Sequence, residues 1–177
     1  MGNNSFLTQE EVNEIGFASC GTNVYISRYA RFYSPENIRI GSNVRIDDFC
    51  LLSGKIELKN NIHISAYSAL YGGSQGIYME DYSGVSGRCI VYAVSDDFNG
   101  GCIASVMAPP EMRNVIEEKV HIGKYAQIGA GSIVLPGSSI EEGACTGSMT
   151  LVNKNLSAWK IYVGIPCRYL KERKCIK

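Results

Sequence analysis

The sequence predicts an all-β chain wound as a parallel β-helix. Three observations predict it: a period of six in the apolar residues, a small residue at a fixed place within most periods, and turn-forming residues between. From Ile122 the chain reads IGKYAQ, IGAGSI, VLPGSS, IEEGAC, TGSMTL and VNKNLS, with an apolar residue opening five of the six blocks. Ala126, Ser132, Ser138, Ala144 and Thr150 fill the fifth place. The same phase holds upstream at Ile40, Ile46, Leu52, Leu58, Ile64 and Leu70, slips by two to reach Ile26 and Phe32, and resumes after an insertion in GGSQG at Met79, Val85 and Val91. Sixteen of these seventeen openings are apolar in a chain that is 45% hydrophobic, so chance does not produce the pattern.

A period of six matches neither a helix at 3.6 nor a long strand alternating at 2.0. It fits short strands joined by turns, each block sending one large and one small side chain inward while Gly, Asn and Asp make the corners. Hexapeptide repeats of this kind are a β-helix signature. Three blocks close a triangular coil, so the seventeen blocks give not quite six coils, rising roughly 27 Å at ordinary strand spacing. Register then predicts neighbours: Ile46, Ile64 and Val85 form one ladder, and Leu52, Leu70 and Val91 another. Cys50 and Cys89 fall in the small inward slot two coils apart, about 9–10 Å and too far for a disulfide.

The ends read as caps. Residues 1–22 form an N-terminal capping segment in which FLTQEEVNEIG offers Thr8 as N-cap, Glu11 to complete a capping box, Leu7 against Val12 as a hydrophobic staple, and Gly16 as the stop. Residues 23–158 are the β-helix, interrupted by an excursion loop over about 96–119, where the count of six breaks between Val91 and Ile122. Residues 159–177 are a C-terminal strand, a Pro-marked turn and a basic tail.

Composition narrows the function. At 177 residues the chain is of single-domain size. Seventeen Lys and Arg balance seventeen Asp and Glu with no basic stripe, which removes the electrostatic drive toward nucleic acid or an anionic membrane. MGNNSFLTQEEV carries no signal-peptide pattern and no window approaches the roughly 20 apolar residues of a membrane span, so a cytoplasmic protein is expected. Seven cysteines, an odd number without a CxxC pair, read as reduced, mostly structural thiols. Two histidines do not make a three-histidine zinc site, and no metal is expected.

The hexads IGAGSIVLPG and the segment IYVGIPCRYLK, within a stretch from Val24 to Lys171, resemble the left-handed β-helix acyltransferases with hexapeptide repeats. The likeness is to the galactoside and maltose O-acetyltransferases and to sugar acetyltransferases of surface-polysaccharide biosynthesis. It implies the left hand of the coil, since parallel crossovers are otherwise nearly always right-handed. It further implies a homotrimer, with acetyl-CoA bound between neighbouring prisms and a sugar or nucleotide-sugar as acceptor. Carried over, the pantetheine contacts fall on Ala130 and Ser148, with Asn153 on the same path. Arg168 and Lys171, and with them Lys154, become the cations for the nucleotide phosphates. Small residues let a thin thiol arm lie on the backbone, and cations attract phosphate.

The stretch YAVSDDFNGG opens the excursion. Where the relatives begin their loop with a histidine base, this chain has Asp96, followed by Asp97. A base near neutrality is worth about 10²–10⁴ in rate to a sugar hydroxyl, and an aspartate with a pKa near 4 is a poor one. Three readings stay open. His63, in a slot where relatives place an asparagine, is the base, oriented or charged by Asp96 or Asp97. Alternatively, the acceptor is an amino sugar whose neutral amine needs only orienting groups. In the third reading the protein binds without turning over.

Tyr71 takes the place where relatives grip the sugar with an aspartate, and Asp47 and Asp48, one coil earlier, face a long acceptor. Each residue also has a local alternative: His63 as an exposed strand residue between Arg45 and Gly84, Asp96 and Asp97 as the opening of a turn, His121 as a surface residue. A cysteine acyl-enzyme is not expected, because the inward thiols are buried and Cys102 has no histidine near it in sequence. The leading expectation is an acetyl-CoA-dependent acetyltransferase working by direct attack in a ternary complex. Its competitor is a non-catalytic trimeric binding or scaffold protein of the same fold.

Overall fold

The computed structural model describes residues 5–176, and in it the chain winds as a left-handed parallel β-helix with three flat faces. The first face stacks Ser19–Cys20, Ile38–Ile40, Ile56–Leu58, Ile77–Met79, Val120–Ile122 and Ser139–Ile140. The second stacks Tyr25–Ile26, Arg45–Ile46, His63–Ile64, Gly84–Val85, Gln127–Ile128, Cys145–Thr146 and Lys160–Val163. The third stacks Arg31–Tyr33, Leu51–Ser53, Ala69–Tyr71, Ile90–Tyr92, Ile133–Val134 and Leu151–Val152. The expected ladders form: Ile46 pairs with Ile64 and Ile64 with Val85, while Leu52 pairs with Leu70 and Leu70 with Val91.

Alternation sets what is inside. Ile46, Ile64, Leu52, Leu70 and Val91 are fully buried, and Cys50 and Cys89 occupy the small inward slots as free thiols. Burial pushes the Cys50 thiol up to about 11, so it is not a nucleophile at neutral pH. One hexad buries too little to stand alone, and stacking of coils supplies the continuous core.

The coil count is higher than the hexads suggest. The second face carries seven parallel strands because Lys160–Val163 adds another coil, and Arg168–Glu172 then returns antiparallel against it. The stretch expected as a basic tail is thus largely a strand that covers the open edge of the last coil. At the other end the helix Gln9–Glu14 has the expected capping box, with Thr8 accepting from the Glu11 N–H and Glu11 accepting from the Thr8 N–H. Arg28 grips the same Glu11 carboxylate and helps hold its pKa down to about 2.

Glycine and asparagine make many of the turns, as expected, but several corners depart from that rule. Phe49, Tyr67, Tyr82, Arg88, Tyr125, Met149 and Trp159 all sit at φ between +53° and +62°, a left-handed conformation uncommon for bulky residues. Stacking between coils accompanies the strain: Tyr29, Phe49 and Tyr67 stack at 5.4 and 4.9 Å, and Tyr82 stacks on Tyr125 at 5.5 Å. Only the lower coils use asparagine there, Asn23 donating to Asn43 and Asn43 to Asn61.

The excursion leaves at the border between the third and first faces. It is a hairpin, Val94–Asp96 paired antiparallel with Val115–Glu117, so it starts slightly earlier than the break in period suggests. At its base Glu117 accepts hydrogen bonds from the Ser74 N–H and hydroxyl.

Candidate active site

The edge between the second and third faces carries one group of candidates. Successive coils stack Asp47, Ser65, Ser86 and Gly129 in one row, because the amides of Asp47, Ser65 and Ser86 donate to Ile64, Val85 and Ile128. The adjacent row holds Asp48, Ala66, Gly87, Ala130 and Ser148, giving a smooth strip that ends at exposed Ala130 and Ser148. Above that strip the turn Gly164–Cys167 bonds to Leu151, and Arg168 lines a 400 Å³ cavity with the turn. Ala130, Ser148 and Arg168 are therefore brought together along one edge. Lys171 lies further out on its strand, opposite Ile161, and Asn153 and Lys154 stand at the far border of the third face.

Lower on the same edge lies a charged cluster. His63 is laddered between Arg45 and Gly84, and its Nε2 donates to Asp47 Oδ2 at 2.7 Å. Arg45 Nε donates to Asp47 Oδ1, also at 2.7 Å. Burial alone would raise the Asp47 carboxyl, but the hydrogen bonds from Arg45 and His63 outweigh it and hold the pKa below the ordinary value. With Nε2 as donor, Nδ1 of neutral His63 is left as an acceptor. Asp48 accepts from Ser27, and both aspartates line a cavity of 270 Å³ with Phe6, Arg45 and Ala66. His121 is elsewhere, on the first face, bonded to Glu80 at 2.9 Å.

A second group lies under the hairpin, across the width of the third face. A cleft of 620 Å³ is walled by Val94, Phe98, Val106, Ile133, Leu135 and Leu151, with Tyr71, Tyr92, Asp96 and Arg113 supplying its polar atoms. Tyr71 and Tyr92 stack at 5.2 Å with rings 10° apart. Arg113 Nη2 donates to Asp96 Oδ1 at 3.2 Å, and both side chains are largely shielded from solvent. Asp97 points the other way. It accepts from the backbone and side chain of Asn99 and from Asn114 Nδ2, bonds that hold its carboxyl below the usual range and tie the loop together at the tip end of the two strands.

Within one chain, then, His63 pairs with Asp47, Asp96 with Arg113, and the two pairs face different edges. Sequence reasoning missed Ser86, Tyr92 and Arg113. Tyr92 was accessible, because the ladder of Leu70 and Val91 puts Tyr71 beside it. Arg113 carried no signal, since its approach to Asp96 depends on how an aperiodic hairpin pairs.

A three-sided coil with a smooth strip along one edge and a carboxylate held over an apolar cleft has the layout of a group-transfer enzyme that positions a long, thin donor. No family model matches the chain. It is 39% identical over 172 residues to the dTDP-4-amino-4,6-dideoxy-D-glucose acyltransferase of Escherichia coli, covering 96% of this chain and 89% of that one. Among solved structures it matches AntD, an N-acyltransferase from Bacillus cereus, in a complex with dTDP-4-amino-4,6-dideoxyglucose and coenzyme A. That match has 49% identity and a TM-score of 0.96 over 97% of this chain and 92% of that one. A maltose O-acetyltransferase from Clostridium difficile, 22% identical with a TM-score of 0.59 over 97% of this chain and 80% of that one, shares the fold. The chain belongs to the hexapeptide-repeat family of acyl-CoA-dependent sugar acyltransferases. The alternative of a non-catalytic scaffold falls with that assignment.

Proposed function

We propose that the protein transfers an acyl group from acyl-CoA to the amino group of a nucleotide-linked amino sugar of the dTDP-4-amino-4,6-dideoxyglucose type. The observation that carries this is Asp96, a carboxylate in the cleft where a hydroxyl acceptor would call for a stronger base. An amine is nucleophilic once neutral, and an aspartate suffices to orient it. AntD has been solved as variants of a serine and of an aspartate ten positions further on. Ser86 and Asp96 have that spacing here.

In the reaction the amine nitrogen attacks the thioester carbonyl. The C–N bond forms, the C–S bond breaks, and the nitrogen's proton passes to Asp96 or onward to the departing thiolate. The strip through Ala130 and Ser148, with Arg168 above it, is suited to coenzyme A, and the cleft with Tyr71 and Tyr92 to the sugar. Asp97 serves by holding the hairpin.

We also propose that the working unit is a homotrimer in the cytoplasm, where acyl-CoA is available. The outer ladder of the third face is Leu51, Ala69, Ile90, Ile133 and Leu151, an apolar row on what would otherwise be a wetted surface. Ser86 and Asp96 stand at opposite borders of that face, on the order of 10 Å apart or more. A neighbouring copy would bring one border against the other.

A second reading has its own observation. The His63–Asp47 pair is a base dyad in form, and would serve a hydroxyl acceptor. Thiol release from acetyl-CoA and longer acyl-CoA, with dTDP-amino sugars and their hydroxyl counterparts, separates the two. Amine-dependent release that falls about 10²–10⁴-fold in Asp96→Asn and survives in His63→Ala is the expected result. Release only with hydroxyl sugars, abolished by His63→Ala, would replace it with the second reading.

A further inference from the structure

Asp96 is a useful group only if one of its oxygens stays aimed at the acceptor, and what aims it is not on its own strand. Arg113 follows the short 3₁₀ turn Pro110–Met112, just before the returning strand Val115–Glu117. Its side chain runs inward and Nη2 bonds to Asp96 Oδ1. Among the described residues Oδ2 of Asp96 has no hydrogen-bond partner, and both residues line the cleft beside Tyr71 and Tyr92. We propose that Arg113 is the positioning residue of the transfer reaction: it ties down one carboxylate oxygen so that the other is presented to the acceptor's N–H. This inference rests on the assignment of Asp96 to the acceptor.

Two features distinguish this role from ordinary bracing of the hairpin. The pair is poorly made as a stabilising device, because Arg113 Nε is buried with no hydrogen-bond partner among the described residues. A partly buried ion pair with an unmet donor contributes little to stability, and an apolar residue there would cost less desolvation. The hairpin also has separate fasteners, Asp97 to Asn99 and Asn114 at the tip and Glu117 to Ser74 at the base. Arg113 adds a constraint on the direction of a carboxylate rather than on the path of the chain. A planar guanidinium suits that task better than the point charge of lysine.

The test is a double-mutant cycle on the intact protein with a dTDP-amino sugar acceptor. Arg113→Met, similar in length and uncharged, should lower kcat about 10²-fold, the scale of an ångström of misplacement. KM for acyl-CoA should stay within about twofold and the hairpin's resistance to limited proteolysis should be unchanged. Arg113→Lys should recover part of the loss. In the Asp96→Asn background Arg113→Met should cost almost nothing more, since a residue that acts only through Asp96 has nothing left to direct. Full activity in Arg113→Met while Asp96→Asn is inactive would overturn the positioning role alone, and so would additive losses or a loss that tracks proteolytic opening. Full activity in Asp96→Asn would instead remove the assignment beneath it.

Discussion

Along the prism, a residue's neighbours follow from its place in the coil: Ile46 meets Ile64 and Ile64 meets Val85, whatever else the chain does. In the hairpin Val94–Asp96 with Val115–Glu117, neighbours follow from individual side chains, Asp97 with Asn114, Asp96 with Arg113 and Glu117 with Ser74. The prism buries its inward ladder residues almost completely, whereas the hairpin tip exposes Phe98, Val106 and Met107. Stability is thus distributed over many equivalent contacts in one region and concentrated in a few polar bonds in the other. The proposed acceptor site lies where the few bonds are, because a repeating wall offers every coil the same surface and an interruption offers a different one.

The sharpest way to test that contrast is to damage each region by itself. Leu70→Ala removes a side chain packed between Leu52 and Val91 with no exposure at all, and should cost about 2–5 kcal/mol in denaturant unfolding. Asp97→Ala should leave that transition in place while making the segment around residues 98–112 exchange amide hydrogens and be cut by protease far faster. If the two substitutions shifted the same transition equally, prism and hairpin would be one cooperative unit and the contrast would fail.

A titration sharpens it further. The Asp97 carboxyl is depressed by the Asn99 amide first and Asn114 next, so its bonds contribute in full above the ordinary carboxylate pKa of about 3.9. They are lost as the pH falls below that value through the lower folded one. Hairpin protection should therefore hold from neutrality to about pH 4 and fade below it, and Asp97→Asn should flatten that dependence. The smallest expected effect is at the N-terminal cap, where Thr8→Ala should cost about 1 kcal/mol or less by thermal unfolding and leave kcat unchanged.

Much of the fold was legible in the residues. Ile64, Leu70 and Val91 announced their ladders because a β-helix has one spacing rule and the core enforces it at every coil. Thr8 and Glu11 announced the cap because a capping box is local. The corners were not legible: nothing in Phe49 or Tyr67 marks a left-handed backbone, and what accompanies the strain is a ring in the next coil, twenty or so positions away. In the candidate site, Asp96 stood out as a departure from a histidine, and Tyr71 from its place after Leu70. The expected approach of His63 to Asp96 or Asp97 does not occur within one chain, because a strand at one edge and a hairpin at another are separated by the width of a face.

By itself the sequence determined the period, the inward ladders, the interruption and the kinds of group placed at it, since each depends on residues a fixed number of positions apart. Only the tertiary structure decided which outward groups meet off the ladders: His63 with Asp47, and above all Arg113 with Asp96. Those pairings depend on where a coil corner turns and how an aperiodic hairpin folds back. Neither leaves a periodic trace, because no repeated packing constraint acts on it.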